Sequence, residues 1–263
     1  MIGRIYAIAI NTFREAIRNR ILYGIIAVVI GLNLFGTVLG EMSLHEEARV
    51  ARDIGLTGVK LFGSVTAIIL GVSLLYGEIQ RRTIHTIISK PIHRYEFVLG
   101  KYLGMVVTLT LLVAMFTLAM SGLLRAQGVA FSTAITQAVL LGYVEVLIVA
   151  GIAVFFSSFS SPYLSGVFTF GLFVAGRLTP EMRAAVDQTQ IDWVRSVCQV
   201  ALRLVPDLHL FSVSGSTVQG QYVSVHSDFV SWGYVGAATA YGVLYIAALL
   251  VLSIIIFARR DFV

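Results

Sequence analysis

Residues 126–176 read AQGVAFSTAITQAVLLGYVEVLIVAGIAVFFSSFSSPYLSGVFTFGLFVAG, and Glu145 is the only charge among them. A helix needs roughly 20 apolar residues to cross the ~30 Å hydrocarbon core of a bilayer, so this run is too long for one crossing. The stretch Ser157-Ser158-Phe159-Ser160-Ser161-Pro162 divides it into two spans, about Thr133 to Ser157 and about Pro162 to Gly176. The second is short and must tilt or stop partway. An acid at mid-membrane costs ~2.5–3.5 kcal/mol on insertion scales, so Glu145 is expected to face protein or water rather than lipid. Two readings of it stand side by side. It is a polar contact or proton site in a translocation path, or it is a hydrogen-bonded group that holds helices together, with Tyr143 or serines of the short span as partners.

Outward from this run the same pattern repeats. Ile21 to Gly40, Leu56 to Gly77, Tyr102 to Leu124 and Val230 to Phe257 are further apolar stretches, which makes six spans in an all-α polytopic fold. Lys60 lies close enough to the outer end of its span to snorkel. Trp232, Tyr234, Tyr241 and Tyr245 are available as interfacial anchors for the last one. Composition agrees. Of 263 residues, 57% are hydrophobic and 13% charged, against about 25% charged in an ordinary soluble domain. Soluble enzymes, disordered scaffolds and disulfide frameworks are excluded. Cys198 is the sole cysteine, so no intrachain disulfide can form. The net charge of +5 comes from bases that flank apolar spans, where anionic lipid head groups rather than nucleic acid are the simpler partner.

The first twenty residues do not make a signal peptide. Ile5 to Ile10 is too short for a secretory core, and Arg14, Arg18 and Arg20 break any longer apolar stretch. At helical spacing Ile5, Ile8, Thr12, Phe13, Ala16 and Ile17 fall on one side, while Arg4, Asn11, Arg14, Glu15 and Arg18 fall largely on the other. Residues 1–20 therefore read as a helix in the membrane interface, arginines toward phosphates. With the N-terminus inside, 11 of the 19 lysines and arginines lie on inner segments with four acids, while the outer segments carry more acids than bases. The positive-inside rule places both termini in the cytoplasm. The outer segment 177–229 contains an amphipathic candidate helix, Glu181 to Leu204, and then a loop or short strand over Ser212 to Ser227.

The densest signal lies between the second and third spans, from Gly77 to Lys101. Glu78 and Arg82 form an i,i+4 pair with the acid N-terminal, the better orientation. Ile84, Ile87 and Ile88 make an apolar ridge at i, i+3, i+4. Lys90 suits the C-terminal end of the helix dipole, and Pro91 stops the helix. A short, stiff, surface helix of this kind fits a groove on a soluble partner. The acid at Glu78, Arg82-Thr83, a hydrophobic pair, Ser89-Lys90-Pro91, Arg94 and Gly100-Lys101 resemble the permease subunits of the type-2 class of ATP-binding-cassette (ABC) exporters. The basic tail Phe257 to Phe262 and the six-span layout resemble that family too.

The resemblance implies that residues 78–89 are a coupling helix on an ATPase subunit, with Glu78, Arg81, Arg82, Thr83, Ile84, Ile87, Ile88, Ser89 and Pro91 at the contact. Arg81 stands where a small residue is often found. No Gly-x-x-x-x-Gly-Lys-[Ser/Thr] loop is present, so ATP and Mg are expected on a separate chain and no cofactor on this one. The five histidines lack metal-ligand spacing. One chain offers little wall for a path, so a second permease copy, most simply forming a homodimer, is expected. The layout implies a single permease domain over residues 1–263 in a bacterial inner membrane. The alternative is an ATPase-linked force transmitter or membrane anchor acting on a periplasmic partner without moving a solute. A secondary transporter is the third choice. Nothing in the sequence selects a substrate.

Overall fold

The computed structural model describes residues 2–42, 47–80, 93–126, 132–188, 192–212, 216–218, 221–223 and 231–259. The chain is helical: α1 (Ile2–Ile17), α2 (Arg20–Met42), α3 (Glu47–Gln80), α4 (Arg94–Ala126), α5 (Thr133–Ser157), α6 (Pro162–Arg177), α7 (Thr179–Gln188), α8 (Asp192–Leu204) and α9 (Trp232–Arg259). A 3-10 turn over Leu208–Phe211 follows α8. One small antiparallel hairpin, β1 (Ser216–Val218) with β2 (Gln221–Val223), pairs Thr217 with Tyr222.

Helix boundaries follow local chemistry. Ser132 adopts extended backbone and its hydroxyl accepts from the Ile135 amide, capping α5. At the other end Ser158 closes the helix onto Val154, and Pro162 opens α6 at its first turn, where a missing N–H costs nothing. α4 starts with half of a capping box: the Glu96 carboxylate reaches back to the His93 amide at 3.2 Å.

α5 is the central post. Between Val144 and Val154 it is buried on every side, Leu147 alone being partly exposed, as expected of a helix that is apolar all round. α3 and α9 pack most closely on it, with α4 and α6 completing the shell. The α3–α5 seam is tight at glycines. A Cβ at Gly71 would sit 2.4 Å from Ala153 Cβ, and one at Gly63 would sit 2.8 Å from Val146 Cγ2. Small residues of this kind let helix backbones approach where lipid gives no hydrophobic drive to associate. α2 packs outside α3 and α4 through a second apolar cluster that contains Leu22, Val29, Val59 and Phe116.

Among the described residues, four helices are long and apolar enough to cross a membrane: Arg52–Ser73 within α3, α4, α5, and Trp232–Ala258 within α9. The described pieces Gly3–Ile17 of α1 and Arg20–Gly36 of α2 meet the same test together, bent by 62° at residues 18–19, which raises the number to as many as five. The short span expected from the sequence is α6. Its 16 residues measure about 24 Å at 1.5 Å per residue, less than the hydrocarbon thickness. The amphipathic run expected at Glu181–Leu204 is divided into α7 and α8, with residues 189–191 outside the described set.

Candidate functional site

Two polar centres stand out, one inside the bundle and one at the end where α4 begins. The inner one is built around Glu145 of α5, which is fully buried. Its carboxylate accepts from Arg177, Nε to Oε1 at 2.9 Å and Nη2 to Oε2 at 3.2 Å, a bidentate pair. Arg177 ends α6, where a cation suits the helix dipole, and its guanidinium lies 5.6 Å from the centre of the Phe173 ring. Lys60 of α3 joins the cluster. It is buried, and its Nζ donates to the Phe211 carbonyl at 2.8 Å. Gly142 makes room for its stem, since a Cβ there would lie 2.9 Å from Lys60 Cγ.

Two expectations are thereby corrected. Glu145 pairs with Arg177 rather than with Tyr143 or the serines. Tyr143 instead shares a hydrogen bond of 2.6 Å with Thr110. Nor does Lys60 snorkel out of its span, because residues 205–212 return to the bundle and offer it a carbonyl.

That returning strand of chain is strapped to α9. Tyr241 Oη accepts from the Asp207 amide at 3.1 Å, Tyr245 Oη donates to the Leu204 carbonyl at 3.1 Å, and Tyr234 Oη donates to the Leu210 carbonyl. These three tyrosines, expected as interfacial anchors, hydrogen-bond the backbone of the strap; Trp232 is exposed. Gly176 lets α6 meet the strap closely, for a Cβ there would be 2.7 Å from the Pro206 carbonyl oxygen. Leu208 and Phe211 of the strap itself are buried.

The second centre is the first two turns of α4. Arg94 donates to the last carbonyls of α9, those of Phe257 at 3.0 Å and Ala258 at 2.9 Å, which caps that helix. Phe97 stacks on Phe257 with ring centres 5.8 Å apart. Buried Glu96 meets Arg4 of α1 at 3.8 Å, and buried Lys101 meets Glu15 of α1 at 3.5 Å. Between these pairs α1 and α4 touch backbone to backbone. A Cβ at Gly100 would lie 2.7 Å from Ile8 Cβ, and one at Gly104 would lie 2.5 Å from Thr12 Cβ and 2.6 Å from the Ala9 carbonyl oxygen. Arg4 with Glu96, Ile8 with Gly100 and Thr12 with Gly104 keep one constant offset, so α1 runs alongside α4 in the same direction.

Of the residues singled out from sequence, Glu78 lies on the last turn of α3 with only its backbone described. Arg81, Arg82, Thr83, Ile84, Ile87, Ile88, Ser89 and Pro91 fall outside the described residues. Arg94, Gly100 and Lys101, noted as motif members, prove to be the hub that joins α1, α4 and α9. Sequence reasoning missed Glu96, Glu15 and the spacing Gly100-x-x-x-Gly104, which is visible in the chain as a small-residue motif. Among the described residues, no three His, Cys, Asp or Glu side chains converge as a metal site.

Comparison with known proteins bears on the whole chain. A search of curated proteins returned no match. The family described as "ABC-2 family transporter protein" matches residues 6–262. That match takes in most of α1, all of α4 and the buried Glu145 cluster, and the chain belongs to the ABC-2 family of transporter membrane proteins.

Proposed function

We propose that the chain is the permease subunit of an ABC exporter, working as a symmetric pair with two ATPase subunits that carry the ATP and Mg. Six spans cross a bacterial inner membrane with both termini cytoplasmic. α2 crosses alone, since its 23 residues reach about 34 Å, and α1 lies at the interface. α6 is the short fifth span. Residues 78–89 form the coupling helix, with Glu78, Arg81, Arg82 and the isoleucine ridge against the ATPase.

One observation carries this reading: the chain emerges from the proposed coupling segment directly into the α4 hub. A push delivered at residues 78–91 reaches His93 and Arg94 first. From there it passes to α9 through the Arg94 cap and to α1 through Glu96, Lys101 and the glycine seam. Three elements thus receive one displacement. For ATP to do work through them, the ATP-bound ATPase pair must hold one arrangement of the permease better than the other. At the far end of the bundle the strap 204–212 closes the space among α3, α5, α6 and α9. Loosening of its Lys60 and tyrosine contacts is how we envisage the outer side opening.

Co-expression with the ATPase tests the proposal. A Glu78→Ala/Arg82→Ala variant is expected to lose ATPase co-purification, or to retain it while uncoupling hydrolysis from export. Normal co-purification with normal transport would reject the coupling assignment. A second reading has its own support. α8 exposes Trp193, Val197 and Leu204 along one side, a surface on which an outer partner could sit while the spans transmit force and carry no solute. Crosslinking from α8 to such a partner, with span substitutions leaving every exported compound unaffected, would favour it.

A further inference from the structure

Two contacts fix the depth of the segment between α6 and α9. Glu145 stands twelve residues from either end of the candidate span Thr133–Ser157, and it holds Arg177, the last residue of α6. Tyr245 stands thirteen residues from either end of Trp232–Ala258, and its hydroxyl donates to the carbonyl of Leu204, the last residue of α8. To within a side chain's length, α7 and α8 therefore begin and end at the middle of two crossing helices. Their 10 and 13 residues measure about 15 and 20 Å. Half of a ~30 Å hydrocarbon core is about 15 Å deep. Packed on each other, the two helices fit one half of the bilayer, with the first turn of α8 reaching the head groups. The strap indicates which half, since it climbs α9 by way of Tyr241 to Tyr234, toward the Trp232 end. Irregular backbone is tolerated at membrane depth only where protein or enclosed water satisfies it. Three tyrosines and Lys60 do so at residues 204, 207, 210 and 211.

α8 is exposed on two sides of opposite character. Trp193, Val197 and Leu204 share one edge and are 72%, 61% and 72% exposed. Arg195 and Gln199, both exposed, are i,i+4 neighbours on another side, and Arg203 continues their spacing in the sequence. Water expels apolar surface, whereas lipid tails are as apolar as leucine itself. An arginine at membrane depth needs water or a polar partner. One side of α8 thus suits lipid, and the other suits water.

We propose that α7 and α8 form a re-entrant hairpin in the half of the bilayer beside the Trp232 end of α9. The Trp193–Val197–Leu204 edge lies against phospholipid acyl chains, and Arg195 and Gln199 line a water-filled recess. The apolar edge is thereby given to lipid rather than to an outer protein. The assignment rests on α5 and α9 crossing the membrane, and it holds whether the chain moves a solute or transmits force.

Spin labels test this in the full chain, reconstituted in vesicles of phosphatidylcholine and phosphatidylglycerol. Cys198→Ser removes the native thiol, and a nitroxide is attached at Leu204→Cys, Val197→Cys or Gln199→Cys. Leu244→Cys, on the exposed side of α9 next to Tyr245, is the mid-membrane reference. Collisions with oxygen, which concentrates in hydrocarbon, are compared with collisions with nickel ethylenediaminediacetate, which stays in water. Labels at Leu204→Cys and Leu244→Cys are expected to show the same oxygen-dominated ratio. The label at Gln199→Cys is expected to shift that ratio toward nickel by about tenfold, because hydrocarbon expels a polar complex. If Leu204→Cys disturbs the Tyr245 contact, Val197→Cys reads the same edge further along α8, with oxygen again dominant. Nickel access at Leu204→Cys and Val197→Cys equal to that at Gln199→Cys would place α8 in outer water, open to a protein partner. Exclusion of nickel from all three positions would remove the recess. Either result overturns the proposal.

Discussion

The Glu145 carboxylate and the Arg177 guanidinium meet in bidentate geometry, although one sits mid-helix in α5 and the other closes α6, 32 residues later. The pair turns a costly acid into a fixed joint between the central post and the short span. Lys60 stands nearby on α3 and reaches the strap through the Phe211 carbonyl. Four separate parts of the chain therefore converge on one polar point in an otherwise apolar bundle.

Removing one partner leaves the other charge buried without compensation. Glu145→Ala and Arg177→Ala are each expected to destabilise the folded protein, by ~3 kcal/mol, the lower end of the range for buried pairs because Arg177 is about one-third exposed. A Glu145→Ala/Arg177→Ala double variant should lose clearly less than the sum of the two single losses. Thermal unfolding in detergent across the four proteins reads the coupling directly. Additive losses would show that the pair contributes nothing beyond its separate halves.

Lys60→Met keeps the apolar stem and removes the donor to Phe211. The strap then loses a charge-assisted hydrogen bond, and its opening should become about tenfold more frequent. Cys198 is the only cysteine, so a Cys198→Ser background isolates a reporter at Leu208→Cys, a buried position within the strap. Thiol labelling at that site is expected to speed up in the Lys60→Met protein. An unchanged rate would mean that the tyrosines of α9 hold the strap unaided.

Apolar runs made the spans legible, because the need to cover ~30 Å of hydrocarbon writes itself into any sequence at length. Tertiary pairings were not legible in the same way. Nothing in the chain announces that residues 205–212 return to meet Lys60, so a lysine near a span end read as snorkelling. The Glu145 partner left a fainter trace, since Arg177 is the first base after it. The α1–α4 seam was present as Gly100-x-x-x-Gly104, yet such spacings are common in spans and identify no partner alone. The span number was read from apolar length, which cannot separate a crossing helix from α6, apolar throughout but only 16 residues long.

The glycine seam between α1 and α4 leaves no room for a side chain. At Gly104 even a methyl group would meet Thr12 Cβ and the Ala9 backbone oxygen, neither of which can rotate away. Gly104→Ala is expected to cost about 1–3 kcal/mol through overpacking and to push α1 off α4. Gly24→Ala is the control, because no atom lies within 4 Å of its added Cβ, and alanine favours the helix. Protease cleavage near the bend at residues 18–19 should rise in the first variant and stay level in the second.

Arg94 offers a test that separates folding from force transmission. It caps α9 at Phe257 and Ala258, outside the buried centre, so Arg94→Ala should fold with a modest loss of about 1 kcal/mol. If a push at residues 78–91 reaches α9 through that cap, the variant still binds the ATPase but its hydrolysis no longer responds to the permease. Arg94→Lys keeps the charge without the paired donors of a guanidinium, and should restore only part of the response. ATP hydrolysis measured with and without the permease decides the matter. Full stimulation by Arg94→Ala would show that displacement reaches α9 by another route, through Phe97 on Phe257 or through α5.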